Sequence, residues 1–484
     1  MSKKSIKKNF VMNVILTLST VIFPFITFPY VSRVLGPDGY GRVGFATDLI
    51  AYFSMLAHLG IPTYGIRACA KVRDNKTELT RTAHELLMIN LIMSAITYLL
   101  LAIALMVVPA LQDDKLLFVI VSITILLSSI GMEWLYKALE QYTYITIRSV
   151  VFKVVAIIAM FLLVRSESDY VIYGGITIFA SSASFVLNLI NAHKYIGFKP
   201  VGNYNLRRHL KPVAIFFAMA CATTIYTHLD GLMLGFMIST EEVGYYKAAI
   251  KIKTVLVSVV TSLGTVLLPR ASYYVEHGDV DEFKRITRKA LNFVMLLATP
   301  LSVYFMLYAR EGILLLSSEK YMESIIPMQV IMPTLLLIGI SNILGIQILV
   351  PTGREKVVLY SEIAGAVIDL IINALLIPQM KSTGAAIGTL IAEFVVLLVQ
   401  YRALRGEMKE TVLSIHYHNI GIGVILGIAA SFWVKACSLG NFLSLVISAI
   451  LFFGIYGLFL MLRKETLVID IYNQALNKIK HFRK

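Results

Sequence analysis

Charge is scarce in this chain. Only 15% of its 484 residues are charged, against 57% hydrophobic. With a mean hydropathy of +0.76, that balance excludes a soluble globular domain. Cysteine is nearly missing. Cys69, Cys221 and Cys437 are scattered, which excludes a disulfide framework and a cysteine metal site. No stretch reads G-x-x-x-x-G-K-[ST], so a nucleotide-driven pump within one chain is excluded. Long polar loops are missing too, and with them the sizeable outer domain that a membrane polymerase or glycosyltransferase generally displays. The expectation is a non-enzyme.

What is there is apolar sequence in blocks. A spanning helix needs roughly 20 apolar residues. Fourteen blocks meet that length within a few residues: 10–34, 42–67, 83–109, 115–136, 143–164, 171–191, 210–237, 245–268, 291–309, 325–350, 357–377, 384–404, 420–437 and 442–462. The sequence therefore predicts an all-α polytopic membrane protein with about 14 transmembrane helices. Residues Ser2 to Lys8 followed by an apolar run mimic a signal peptide. The run is too long and lacks a small-residue cleavage site, so an uncleaved first span is expected.

Lysine and arginine outnumber acids 44 to 29, a net charge of +15. Such an excess also suits a nucleic-acid binder, but its placement does not. With a cytoplasmic N-terminus, about 32 of the cations fall in loops on the inner side and about 8 on the outer. This is the positive-inside pattern. It predicts cytoplasmic termini and contact with anionic lipid heads rather than nucleic acid. Apolar Leu467, Ile469, Ile471, Leu476 and Ile479 alternate with Lys478, Lys480 and Arg483 in the tail. That tail is either an interfacial helix or a frayed basic end.

Several spans carry polar residues at helical spacing: Asn13, Thr17, Thr20, Pro24 and Thr27; Thr177, Ser181, Ser184, Asn188 and Asn191; Lys247, Lys251, Thr254, Ser258, Thr261 and Thr265. Polar groups facing hydrocarbon are costly. Such faces together predict a wet central cavity and a polar cargo. Lys247 and Lys251 head one face, with snorkelling to the surface as the alternative. Lys153 lies near mid-depth of its span, where a lone cation costs a few kcal/mol or more. Arg148 lies five residues earlier, so the two do not share one narrow face. Asp48, Asp230, Glu362, Asp369 and Glu393 fall within spans, as ion-pair partners or as sites for a coupling cation or proton. Asp230 and Lys247 are placed to pair with each other. His58 is a buried hydrogen-bonder or a titrating group.

A faint repeat runs through the chain. Gly39-Tyr40 maps onto Gly244-Tyr245, Gly131 to Glu140 onto Gly345 to Arg354, and Thr177-x-x-Ala180 onto Thr389-x-x-Ala392. The offsets lie between about 205 and 214. Six spans separate the copies, so both have the same orientation, as in transporters built from parallel repeats. The expected division is an N-terminal lobe of six spans (1–209), a C-terminal lobe of six (210–410), and two extra C-terminal helices with a basic tail (411–484).

Five stretches carry a family resemblance: FPYVSRVLGPDGYG (28–41), LGIPTYGIRACAKVRDN (59–75), ALEQYTYITIRSVVFK (138–153), LDGLMLGFMISTEEVGYYKAAIKI (229–252) and VPTGREK (350–356). In this order the chain resembles the Wzx-type polysaccharide flippases of the multidrug/oligosaccharidyl-lipid/polysaccharide exporter superfamily. The resemblance covers nearly the whole chain. It implies two six-helix lobes around a cavity and alternating access. It implies transfer of an undecaprenyl-diphosphate-linked oligosaccharide from the inner to the outer leaflet of a bacterial cytoplasmic membrane, for capsule or another surface polysaccharide. A polysaccharide polymerase and glycosyltransferases are the expected partners. No cofactor is implied beyond a coupling Na+ or H+. Arg33, Arg67, Arg148 and Lys153 lie in the matching motifs and become candidates, with His58, Lys247 and Lys251, for binding the anionic head group. The rival is a cation-coupled exporter of small organic cations. Acids in the cavity favour that rival, whereas cations favour the diphosphate.

Overall fold

The computed structural model describes residues 6–413, 415–437 and 439–469. It is all helix among the described residues. Nine helical stretches there are long and apolar enough to cross a bilayer. Two of these, Val11–Lys71 and Glu355–Glu407, each contain a reversal, at Gly36 and Lys381. A bent pair, the 17-residue Lys115–Gly131 and the 37-residue Thr240–Glu276 supply the remaining passes. The fourteen passes are α1 (6–35), α2 (37–71), α3 (Lys76–Val107), α4 (Lys115–Gly131), α5 (Tyr142–Leu163), α6 (170–191), α7 (Arg207–Met237), α8 (Thr240–Glu276), α9 (Val280–Leu307), α10 (325–349), α11 (355–380), α12 (382–413), α13 (Tyr417–Ser431) and α14 (Asn441–Leu462).

The reversals have local causes. Gly36 has φ 67° and ψ −177°, a region open to glycine and costly for a residue with a Cβ. Pro37 follows, with its φ already fixed for a helix start. The chain turns back there, so the rings of Phe28 and Tyr40 meet edge-on at 5.2 Å. Lys381 turns α11 into α12 with φ 52°. Gln400 then donates to Ser361 at 3.0 Å, and Gly384 packs on the backbone of Leu376. The pairing of 361 with 400 and of 376 with 384 marks an antiparallel hairpin.

The chain forms two compact units, 1–247 and 248–484. Each unit has a similar helix end near one of the predicted repeat positions, one residue out of the expected register. In the first, the N–H of Gln141 donates to Tyr136 O at 2.9 Å, with Glu140 at φ 54°. In the second, the N–H of Arg354 donates to Leu349 O at 2.8 Å, with Gly353 at φ 73°. Both are helix ends of Schellman type, and their residues are 213 apart. Arg354 also grips Glu407 through two 2.8 Å bonds, and this pairing raises its guanidinium above the ordinary arginine range. In the second unit, α13 and α14 pack on each other and dock on α9 through tyrosines. Tyr304 donates to Leu445 O and Tyr456 to Leu296 O, at 2.8 and 2.9 Å.

One polar stripe serves a different purpose from the one its spacing suggests. Phe179–Ala183 of α6 is a π-helical turn, which inserts a residue into the helical register. Ser181 is exposed, while Ser182, Ser184 and Asn188 are buried. Thr124 and Ser182 share a 2.6 Å hydrogen bond, and Asn188 donates to Gly131 O at 2.8 Å. These groups join α6 to α4 inside the lobe instead of lining a cavity. Hydrogen bonds between hydroxyls and amides are a common adhesive between helices in lipid. Asn13, Thr17 and Thr20 of α1 do remain on an open face. The tail beyond residue 469 and the side chain of Thr265 lie outside the described residues.

A buried carboxylate holds the other end of the first unit. Glu85 of α3 is 0% exposed. It accepts from the Asn205 N–H at 2.7 Å, from Arg208 at 2.5 and 2.9 Å, and from His209 at 2.7 Å. Tyr64 of α2 reaches His209 at 2.8 Å. Glu85→Ala therefore leaves two basic side chains beside an empty pocket. Breaking a buried charge pair from one side costs about 3–5 kcal/mol. The expected result is a large fall in the midpoint of thermal aggregation in detergent, with a smaller fall for Glu85→Gln.

Candidate functional site in the N-terminal unit

A buried polar cluster joins α2, α7 and the start of α8. Asp48 is 1% exposed. Lys247 Nζ lies 2.7 and 2.6 Å from its two oxygens, and His228 Nδ1 lies 2.7 Å from Oδ1. The helices come this close because glycine stands at the contact. A Cβ on Gly231 would sit 1.8 Å from Asp48 Oδ2, and one on Gly44 would press on the Lys247 stem at 3.4 Å. The ion pair of Lys247 is thus made with Asp48, not with Asp230 as its sequence position suggests. Asp230 instead accepts from the Tyr246 hydroxyl. On a helix, residues 230 and 231 point in different directions, and of these two it is Gly231 that packs on Asp48.

Beyond this cluster, α2 and α8 touch backbone to backbone. A Cβ on Gly41 would lie 1.7 Å from Thr240 O, and one on Gly244 would lie 2.0 Å from Pro37 O. Thr240 donates to Asp38 at 2.5 Å. Arg42 at the same end binds Asp38 and Asp114 at 2.8 and 3.1 Å. Tyr170 donates to Asp114 at 2.8 Å. This end of the unit is closed.

A second group lies toward the opposite end. Arg148 is buried and binds Glu133 at 3.2 Å, with its guanidinium 5.0 Å from the Phe185 ring centre. Lys137 binds the same carboxylate at 2.8 Å. Lys153, also buried, donates to Ser19 of α1 at 2.8 Å. The five-residue spacing does separate Arg148 and Lys153. His58 Nδ1 meets Ser54 O at 2.5 Å. A carbonyl only accepts, so Nδ1 carries the proton. His58, Ser54, Glu133, Trp134 and Lys137 line a cavity of about 410 Å³. Arg33 and Arg67 are exposed. Arg67 borders a smaller pocket of about 260 Å³ with Lys71 and Tyr64.

In the C-terminal unit, Lys251 is half-buried. Thr254, Ser258 and Thr261 follow it on α8, each returning its hydroxyl to a carbonyl four residues earlier. Asp369, Asn373 and Glu393 are buried, and Glu362 is half-buried. Gly388 of α12 packs directly on Asn373 and Asp369. Carboxylate and amide oxygens of this kind suit an ion pair or a hard cation.

Three functional-looking residues escape a reading of the sequence. His228 and Glu85 are isolated polar residues with no spacing signal, and Glu133 shows only a local one, four residues before Lys137. Only the glycine at 231, one turn from His228, hints that something approaches α7 there.

The chain resembles known membrane proteins in both sequence and fold. A family model described as polysaccharide biosynthesis protein matches residues 6–275, and one described as MatE matches 214–375. A putative O-antigen transporter of Escherichia coli K12 is 25% identical over 411 residues, spanning 84% of this chain and 98% of the relative. One from Shigella dysenteriae is 24% identical over 82% of this chain and all of the relative. Among solved structures, the lipid II flippase MurJ in an inward closed conformation matches with a TM-score of 0.76, 14% identity, 95% of this chain and 100% of that one. An inward-facing MATE-family multidrug resistance transporter matches with a TM-score of 0.62 and 13% identity, over 84% of this chain and 99% of that one. At those identities the two structures speak for the fold alone. The first family model spans more than half of the sequence, so the chain belongs to the polysaccharide biosynthesis protein family, as a Wzx-type member of the multidrug/oligosaccharidyl-lipid/polysaccharide exporter superfamily.

Proposed function

We propose that this protein moves an undecaprenyl-diphosphate-linked oligosaccharide from the inner to the outer leaflet of a bacterial cytoplasmic membrane, for capsule or another surface polysaccharide. The observation that carries the reading is the match to putative O-antigen transporters over nearly their whole length. The chemistry of the first unit supports it. A diphosphate crossing apolar territory needs cations with their own hydrogen bonds. Arg148 and Lys153 are buried there, and one of them leans on a hydroxyl rather than on an acid. Lys247 and Lys251 belong to the same α8 face, and Arg33 and Arg67 stand at helix ends for first contact with the head group.

The cycle is proposed to be alternating access. The α2–α8 glycine contact closes the outer end, and it opens as the opposite end shuts. Positive-inside charge supports cytoplasmic termini. Asp230, Asp369, Glu393 and Glu362 are proposed as coupling or pairing acids, with Na+ or H+ as the driving ion. A polymerase and glycosyltransferases are proposed to supply and consume the cargo.

The MatE match favours a second reading, export of small organic cations. One preparation separates the two. Purified protein in liposomes is expected to expose a labelled lipid-linked oligosaccharide to an external glycosidase without ATP. Dye transport with no change in glycan leaflet is the result that overturns the flippase reading.

A further inference from the structure

The start of α9, the approach to α13 and the segment after α14 meet around a pocket of about 210 Å³ in the second unit. Arg285, Arg288, Lys289 and Asn292 line it from α9. Steps of three, one and three residues put all four on one helix face. Ile415 and His416 line it from before α13, and Glu465 and Leu467 from after α14.

The charges here do not cancel. Across residues 281–289 and 463–465, six cations stand against three acids. Residues 415–431 add no acid. Glu465 is buried, and both of its oxygens are taken. Asn292 donates to Oε1 at 2.9 Å, and His416 Nδ1 donates to Oε2 at 3.1 Å. Glu282 holds Arg285 at 2.5 Å. Arg288 and Lys289 are exposed, with no ion pair or hydrogen bond among the described residues. The pocket thus offers two accessible cations, while the acid in its wall is already satisfied.

Arginine beside lysine suits a phosphate, whose oxygens accept charge-assisted hydrogen bonds. A pocket of this size lies below the range of sites that enclose a whole small molecule, about 300–1,000 Å³. It fits a head group whose remaining parts lie outside. Apolar surface for those parts is at hand. Ile422 and Ile425 of α13 and Leu458 and Leu462 of α14 are exposed. Basic pockets between helices on the cytoplasmic side are where anionic head groups bind, and positive-inside charge supports that side for this end of the unit.

We propose that this pocket holds the phosphate of one anionic phospholipid. Arg288 and Lys289 donate to its oxygens, and its acyl chains lie along α13 and α14. The lipid then joins α9 to the α13–α14 pair at the membrane boundary. The site is separate from the cargo groups of the first unit and does not depend on what the protein carries.

The test places a reporter in the pocket wall. Trp134 and Trp433 are the two tryptophans of the chain. Full-length protein carrying Trp134→Phe, Trp433→Phe and Leu467→Trp is put into phosphatidylcholine vesicles, and the introduced indole is quenched by brominated lipid. Brominated phosphatidylglycerol is expected to reach half-quenching at a mole fraction about tenfold lower than brominated phosphatidylethanolamine. Arg288→Gln with Lys289→Gln is expected to bring phosphatidylglycerol to the phosphatidylethanolamine value. Arg288→Lys with Lys289→Arg is expected to keep the preference. An unchanged emission maximum before brominated lipid is added reports an intact pocket in each variant. Millimolar inorganic phosphate and equimolar undecaprenyl diphosphate are both expected to leave the quenching unchanged. Reversal by inorganic phosphate would assign the pocket to a soluble anion, and reversal by undecaprenyl diphosphate would assign it to the cargo; either result overturns the phospholipid site. Equal quenching by the two brominated lipids, or a full preference in the doubly neutralised variant, overturns it as well.

Discussion

Asp48→Ala is expected to abolish surface polysaccharide in a deletion strain while the protein stays in the membrane. The reason is local. Asp48 is buried between Lys247 and His228, and it is the acid that both basic groups contact. Without it a lysine and a histidine face each other across a glycine-thin helix contact. Removing one partner of a buried pair costs about 3–5 kcal/mol because the other charge is stranded. That energy favours separation of α2 from α7 and α8 and unbalances any cycle that closes there. Lys247→Ala is expected to act in the same direction, since it strands the carboxylate. Asp48→Lys with Lys247→Asp restores opposite charges and is expected to recover part of the export. Polysaccharide per membrane-inserted protein is the measurement. Full export by Asp48→Ala at normal abundance would show that the cluster has no role in transport.

The sequence shows its membrane passes clearly because hydrophobicity is summed over some twenty residues, and single exceptions do not hide it. The turn at Gly36 is also legible, since glycine before proline at the end of an apolar run has few other uses. A trace of the repeat shows in the similar helix ends at Glu140 and Gly353, one residue out of the expected register, where backbone geometry constrains sequence. Side-chain partners are harder to read. Spacing places Thr177, Ser181, Ser184 and Asn188 on one face of a regular helix, and the π turn at Phe179–Ala183 breaks that regularity. Spacing also says nothing about which helix a polar face meets. Asp230 and Lys247 have suitable depths for pairing, yet the bare α-carbon of Gly231 decides that α7 meets Asp48 instead. Glu133 illustrates the same limit. It is a single acid at a helix start, and its importance comes from Arg148 of α5 joining the local pair it makes with Lys137 one turn on.

Gly244→Leu is expected to stop export by holding the outer end of the first unit open. A Cβ at Gly244 would lie 2.0 Å from Pro37 O, and one at Gly41 would lie 1.7 Å from Thr240 O. Neither distance is tolerable, and both obstacles are backbone, so no rotamer relieves them. The helices must part by more than an ångström, and the Asp48–Lys247 pair beneath them opens with the contact. If alternating access requires this closure, one half of the cycle becomes inaccessible, and export falls by about two orders of magnitude, the equivalent of roughly 3 kcal/mol in the closing equilibrium. Gly244→Ala is expected to fall between the variant and the wild type. The structural readout is independent of export. With Cys69, Cys221 and Cys437 replaced by serine, a cysteine at His228 is expected to be shielded from an impermeant thiol reagent in intact wild-type cells for part of the cycle. In the Gly244→Leu background it is expected to label rapidly from outside. Rapid labelling with lost export supports a closing contact on the outer face. Unchanged labelling with full export would mean that α2 and α8 part without consequence, and the proposed gate would have to lie elsewhere.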